Sequence, residues 1–137
     1  MEKRTSLITL DDYWMGRDTI APPTDQLRAN AADLVERVNH LLSMYYAEVP
    51  AAPATRVTSG YRPPAINARV GGALRSNHRI CKAVDLADPD GGLDEWCEES
   101  VHYLVSYGLW LEHPDYTPGW CHLQSIGPRS GRRIFYP

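Results

Sequence analysis

The sequence predicts a small single-domain α+β protein with a long N-terminal helix, a second helix and a short antiparallel sheet. Three observations predict it: a long amphipathic stretch early in the chain, a shorter one after residue 92, and three short strand candidates grouped near the end. A chain of 137 residues has room for one hydrophobic core. A domain of this size buries roughly 68% of its unfolded surface, enough to stand without disulfides. Residues 1–137 are therefore read as one domain.

The long helix is expected over about 24–46. Thr24 can cap it, and Asp25 suits the positive end of its dipole. Leu27, Ala31, Leu34, Val35, Val38, Leu41, Leu42 and Tyr45 recur at three- and four-residue steps, which marks one apolar face. A proline-rich break follows, then a short β-branched strand at 55–59 and the rigid turn Gly60-Tyr61-Arg62-Pro63-Pro64. One or two helical turns at 64–70 lead into a loop that starts at Gly71-Gly72 and reaches about Cys81. Residues 82–87 (KAVDLA) read as a buried strand with one charge, Asp85, and Asp88-Pro89-Asp90-Gly91-Gly92 as a turn. The second helix is expected over 93–107, with Leu93, Trp96, Cys97, Val101, Leu104 and Val105 on its face and Gly108 stopping it. Strands at 109–112, 120–125 and 132–136 close the chain as a β-meander.

Composition narrows the classes. Fourteen Lys+Arg against 17 Asp+Glu give a formal charge of −3, so no general electrostatic attraction to nucleic acid exists. No apolar run approaches the roughly 18 residues of a membrane span. The apolar run after the basic start is too short for a secretory signal, so synthesis in the cytoplasm without a signal peptide is expected. Cys81, Cys97 and Cys121 are odd in number and form no disulfide framework.

Two groups carry chemistry. Asp85 stands inside an apolar strand, where a carboxylate is costly to bury unless paired or bound to a metal. Alternation puts Ala83, Asp85 and Ala87 on one face, lined by small residues; the other reading is a solvent-facing edge strand. The second group is Trp120, His122 and Gln124, which share one strand face, with Cys121 and Leu123 on the other. A lone strand histidine is more often structural. If His122 meets His78 and Asp85, however, two imidazoles and one carboxylate make a three-ligand zinc site with an open position for water. Such open sites lower the pKa of the water to about 7.

Ser76-Asn77-His78, Ala83-Val84-Asp85 and a later Trp-Cys-His resemble the zinc D-Ala-D-Ala carboxypeptidase family, which includes vancomycin-resistance dipeptidases and phage L-alanoyl-D-glutamate endolysins. Ser59-Gly60-Tyr61-Arg62-Pro63 looks like the family's Ser-Gly-Tyr-Arg element. The stretch Asp12 to Asp18, with Asn30-Ala31 and Val38-Asn39, looks like a phage-type branch. The resemblance implies a hedgehog/DD-peptidase fold with its metal-site core at about 55–126. It implies zinc on His78, Asp85 and His122, and Arg62 aimed at the substrate carbonyl or carboxylate; a loop-bracing salt bridge is the other reading of Arg62. Ser76, Tyr61 and Gln124 are the substrate-binding candidates, although Ser76 could equally cap the loop.

Two departures stand out. The family usually has Gly where this chain has Cys81, which is either a small buried replacement or a zinc ligand. Many members carry a carboxylate three residues before the third ligand, where this chain has Gly119. A hairpin between 109–112 and 120–124 supplies a replacement. Pairing 112 with 120 or 122 puts Glu112 on the His122 face, ready to move protons, unless it is only a polar strand end. Asp115 and His113 are weaker candidates. Trp110 and Trp120 flank the cleft by parity, with core packing as the expected role. His40 and His102 read as surface residues, and Arg129, Arg132 and Arg133 as charges protecting an edge strand.

The expectation is a monomeric zinc metallopeptidase acting on peptidoglycan stem peptides, as a D-Ala-D-Ala carboxypeptidase or an endolysin-like L-Ala-D-Glu endopeptidase. It would reach the cell wall after release if the protein is of phage origin. The alternative is a non-catalytic zinc-containing virion or wall-binding protein with the same fold.

Overall fold

The computed structural model describes residues 7–73 and 76–137. The basic start at 1–6 and the middle of the 71–81 loop, at 74 and 75, lie outside the described residues.

A five-residue helix, α1 (Leu10–Trp14), opens the described chain. Thr9 accepts from the Asp12 amide while the Asp12 carboxylate accepts from the Thr9 amide, a reciprocal cap. One turn is too short to show periodicity, so the sequence pattern predicts no helix here. Helix α2 (Asp25–Glu48) starts as expected, with the Thr24 hydroxyl accepting from the Leu27 amide. Its predicted apolar face is buried from Ala31 through Tyr45; only Leu27, at the first turn, is partly exposed.

Strand β1 (Val57–Ser59) is followed by α3 (Pro64–Arg69), which Pro64 opens at a position where a missing N–H costs nothing. Strand β2 (Ala83–Ala87) precedes the Asp88–Gly92 turn. The single helix expected over 93–107 is instead two, α4 (Gly92–Glu99) and α5 (Val101–Tyr107), broken at Ser100 with φ −122° and ψ 43°. The break changes the phase of the second half. Val105, read as part of the apolar face, is 55% exposed, whereas Leu104 is buried. Both helix ends follow local chemistry. The Asp88 carboxylate accepts from the Leu93 and Asp94 amides, and Gly108 at φ +66° terminates α5.

Strands β3 (Trp110–Glu112), β4 (Trp120–Gln124) and β5 (Ile134–Phe135) complete a five-stranded sheet in the order β1-β2-β4-β3-β5. The pairs are antiparallel except the last. β5 runs parallel to β3, not as the end of a meander, because the chain from β4 passes back across β3 before pairing.

One face of the sheet presents Val84, Leu86, Leu111, Cys121 and Leu123, all buried in one hydrophobic cluster with Leu34, Val38, Leu41 and Leu42 of α2. The other face is polar, and holds the site.

Candidate metal centre

The site forms because alternate residues of adjoining strands share one face. Ser59 stands opposite Asp85, Asp85 opposite His122, and Glu112 opposite Phe135. Leu111 pairs with Leu123, so Glu112 falls beside His122, with Oε1 3.8 Å from Nδ1. A single transverse row thus crosses all five strands: Ser59, Asp85, His122, Glu112, Phe135. Arg62 joins its β1 end, donating from Nε to Ser59 Oγ (2.9 Å) and from Nη2 to Asp85 Oδ2 (3.2 Å).

His78 enters from the loop before β2. Its Nδ1 lies 2.9 Å from the Gly60 carbonyl, which can only accept, so Nδ1 carries the proton and Nε2 presents a lone pair. Gly60 is required here, since a Cβ would collide with the Tyr13 carbonyl. At His122 it is the Nε2 proton that the surroundings fix. Gln124 donates from Nε2 to the Ile126 carbonyl, which fixes its Oε1 as an acceptor for His122 Nε2 at 2.9 Å. His122 Nδ1 therefore faces Asp85 Oδ1, 2.8 Å away.

His78 Nε2, His122 Nδ1 and Asp85 Oδ1 converge, and one ligand atom from each residue lies within 4.8 Å of the others. His78 Nε2 is buried 3.4 Å from Asp85 Oδ1 and has no hydrogen-bond partner among the described residues. A buried lone pair with no donor is costly. Zinc bonds of about 2.0–2.2 Å at tetrahedral angles place ligand atoms roughly 3.3–3.6 Å apart, close to the 3.4 Å between His78 Nε2 and Asp85 Oδ1, while the 2.8 Å between His122 Nδ1 and Asp85 Oδ1 is a hydrogen-bond distance that zinc would widen. The donor set and the orphaned nitrogen both fit zinc, with Gly60 and Gln124 as the partners that orient the imidazoles.

The electrostatics agree with a site built around Asp85. Burial pushes its carboxyl up, but the two adjoining imidazoles of His122 and His78 outweigh that and hold it well below the usual range. Burial lowers His78; at His122 the same burial is overcome by Asp85, Gln124 and Glu112, and the imidazole is raised. Glu112 is raised by its own burial and by Asp85, against the pull of His122. At the β1 end, burial and the guanidiniums of Arg62 and Arg69 lower Arg17, which marks that end as cationic.

The trio lies in a cleft of about 450 Å³ lined by Arg62, Ser76, Glu112, Trp120, Gln124 and Phe135 among others, a size suited to a small-molecule or peptide segment. Arg62 is both in the cleft wall and in a salt bridge, bracing a candidate ligand and not merely the loop. Ser76 lines the cleft while its hydroxyl accepts from the His78 amide, so the two readings of it coexist. The Tyr61 ring packs edge-on against Trp14 and its hydroxyl donates to the Ala21 carbonyl, so it is not among the described residues that line the cleft. Gln124 is 3% exposed, with both amide atoms engaged, so it orients His122. Trp110 and Trp120 are only partly buried, not core residues; Trp110 lies beneath the Arg133 guanidinium, 4.1 Å from the ring centroid.

The two departures acquire physical reasons. Cys81 sits at φ 60°, in the left-handed region that favours glycine. It is fully buried, its thiol is pushed up to about 12 by burial, and it contacts Tyr13 outside the ligand trio. The thiol-ligand reading is therefore set aside. Gly119 has φ +92°, which a side-chain-bearing residue adopts only under strain, so a carboxylate there would distort the entry to β4. Asn67 was missed by the sequence reading. It is buried on α3, accepts from Arg62 and donates to the Ala73 carbonyl, joining the guanidinium to the cleft-lining loop. Its signal was a polar residue on the inner side of a one-turn helix, too brief to establish a face.

No curated protein and no solved structure matches the chain. A family model described as Peptidase M15 matches residues 16–108, well over half of the 137. The match includes Arg62, His78 and Asp85 and stops before Glu112 and His122, which the sheet itself brings to the same cleft. The chain belongs to the Peptidase M15 family, a zinc-dependent family of peptidases.

Proposed function

We propose that this protein is a zinc peptidase that hydrolyses an amide of peptidoglycan stem peptides, of the D-Ala-D-Ala or L-Ala-D-Glu type. The observation that carries the reading is the buried His78 Nε2, without a hydrogen-bond partner among the described residues, beside Asp85 and His122 in a cleft that also holds Glu112. The stem-peptide assignment is supported by the motif resemblance of 59–63, 76–85 and 120–122.

His78, Asp85 and His122 would hold zinc, which would supply Lewis acidity to polarise a carbonyl and acidify water. The chain's own residues do the rest. Gln124 and the Gly60 carbonyl hold the two imidazoles in the tautomers that present lone pairs to one point. Arg62, positively charged and fixed by Ser59 and Asp85, faces the carbonyl oxygen and stabilises charge that grows there. Glu112 takes the proton from the attacking water and passes it to the leaving amine. Its half-buried setting, which raises its pKa, suits a group that must both accept and return a proton. Glu112 on the cleft side favours this enzyme over a zinc-loaded binding protein, the alternative that Gly119 and Cys81 motivate.

The test is incubation of a purified stem pentapeptide with the zinc-loaded protein, followed by mass spectrometry for new amino termini. Cleavage that stops on chelation, returns with zinc and is absent in His122→Ala supports the reading. A folded, zinc-loaded wild type that leaves every stem peptide intact overturns it.

A further inference from the structure

The row across the sheet is chemically directional. At the β1 end stand Arg62 and the neighbouring guanidiniums of Arg17 and Arg69; at the β5 end stands an aromatic ring. Phe135 is 7% exposed yet lies outside the main hydrophobic cluster. Its ring meets His122 edge to face, with centroids 6.2 Å apart at 82°, and it lines the cleft with Pro137. A buried aromatic that packs on the site and not on the core is a wall of that site.

The wall is held firmly. Leu111 donates to the Arg133 carbonyl (2.9 Å) and His113 to the Phe135 carbonyl (2.8 Å), one on either side of Glu112. Arg133 donates to the Leu109 carbonyl (3.0 Å) and stacks over Trp110. Such fixed walls discriminate side chains because their shape is not rebuilt on binding.

We propose that Phe135 is a specificity-determining residue, its ring forming the wall of the subsite for the residue on the amine side of the scissile bond and favouring an apolar side chain there over an acidic one, so that of the two bond types proposed above it selects the D-Ala-D-Ala type. The inference rests on the peptidase reading for its direction. The carbonyl oxygen faces Arg62 and the leaving nitrogen faces Glu112, so the residue beyond that nitrogen must extend past Glu112 towards its cross-strand neighbour, Phe135. An acidic side chain there would meet both an apolar ring and the Glu112 carboxylate, without a cation among the described cleft-lining residues at that end.

Two peptide series test this on zinc-loaded protein. In the first, acetyl-D-Ala-X, X is D-Ala, D-Val or D-Asp; in the second, acetyl-Y-D-Ala, Y varies likewise. Turnover is read as kcat/KM in the wild type, and binding as Kd by calorimetry in Glu112→Gln, each with and without Phe135→Ala. The expected result is a preference of about tenfold or more for D-Ala and D-Val over D-Asp at X. Phe135→Ala brings it to within about twofold and leaves the Y preference unchanged, whereas Phe135→Leu, which keeps an apolar wall, retains most of it. Equal loss for all peptides in Phe135→Ala, or a change confined to Y, overturns the inference. Binding that discriminates at X through Phe135 without any turnover sustains the subsite and overturns the peptidase reading alone. Turnover with no discrimination at X overturns the subsite alone, and absence of both turnover and binding overturns both.

Discussion

The two faces of the sheet are made from the same strands and obey different physics. Leu123 and Leu86 project into an apolar cluster where any well-packed hydrocarbon of similar volume would serve. Their chain neighbours His122 and Asp85 project the other way, into a set of contacts fixed in direction as well as distance. Stability comes mostly from the first face, and chemistry from the second. The second face leaves a cost unrelieved among the described residues: a buried imidazole nitrogen with no donor, next to a carboxylate that already serves a guanidinium and another imidazole.

Substitutions at adjoining positions separate these roles. The largest expected effect is on the apolar face. Leu123→Ala should destabilise the fold by about 2–5 kcal/mol in urea unfolding while the folded variant still binds one zinc, because it removes packing and leaves the ligands. Loss of zinc at unchanged stability would instead tie that face to the site.

A smaller effect belongs to Gln124, the next residue on the polar face. Gln124→Ala should weaken zinc about 10–100-fold in competition with a chelator, since His122 loses the acceptor that fixes its tautomer. Unchanged affinity would show that Asp85 alone orients the ring.

The smallest lies behind the sheet. Asp94 is buried with Thr117 donating to it at 3.1 Å, and burial raises its pKa from 3.8 to about 6. The folded carboxyl thus keeps its proton up to about pH 6, whereas the unfolded one releases it near pH 4. The folded state binds more protons across that window, so this group's contribution to stability falls as pH rises from about 4 to about 6. Asp94→Asn should flatten the wild-type pH dependence there by on the order of 1–2 kcal/mol in melts across pH 4–7. An unchanged difference between the two proteins across that range would contradict the shifted titration.

The sequence made α2 legible because 24 residues carry many turns of periodicity. Parity made the polar face legible too. With a period of two, the hairpin could pair in several ways and Glu112 would still face His122's side, where it stands 3.8 Å away. What escaped depended on contacts remote in sequence or on single dihedral angles. The break at Ser100 is one residue within an otherwise helical pattern. Tyr61 turns inward because Trp14 and the Ala21 carbonyl receive it, and neither is near it in the chain. The parallel pairing of β5 that brings Phe135 to the site leaves no periodic trace in a two-residue strand. The left-handed backbone at Cys81 was hinted at only by the family's glycine at that position.

The His78–Asp85–His122 centre is tested most directly by zinc stoichiometry, measured by atomic absorption after dialysis in the wild type, Asp85→Ala and Cys81→Gly, each checked for folding by circular dichroism. One zinc per chain is expected in the wild type and in Cys81→Gly, and none in folded Asp85→Ala. Zinc retained by Asp85→Ala, or lost from Cys81→Gly, would contradict it.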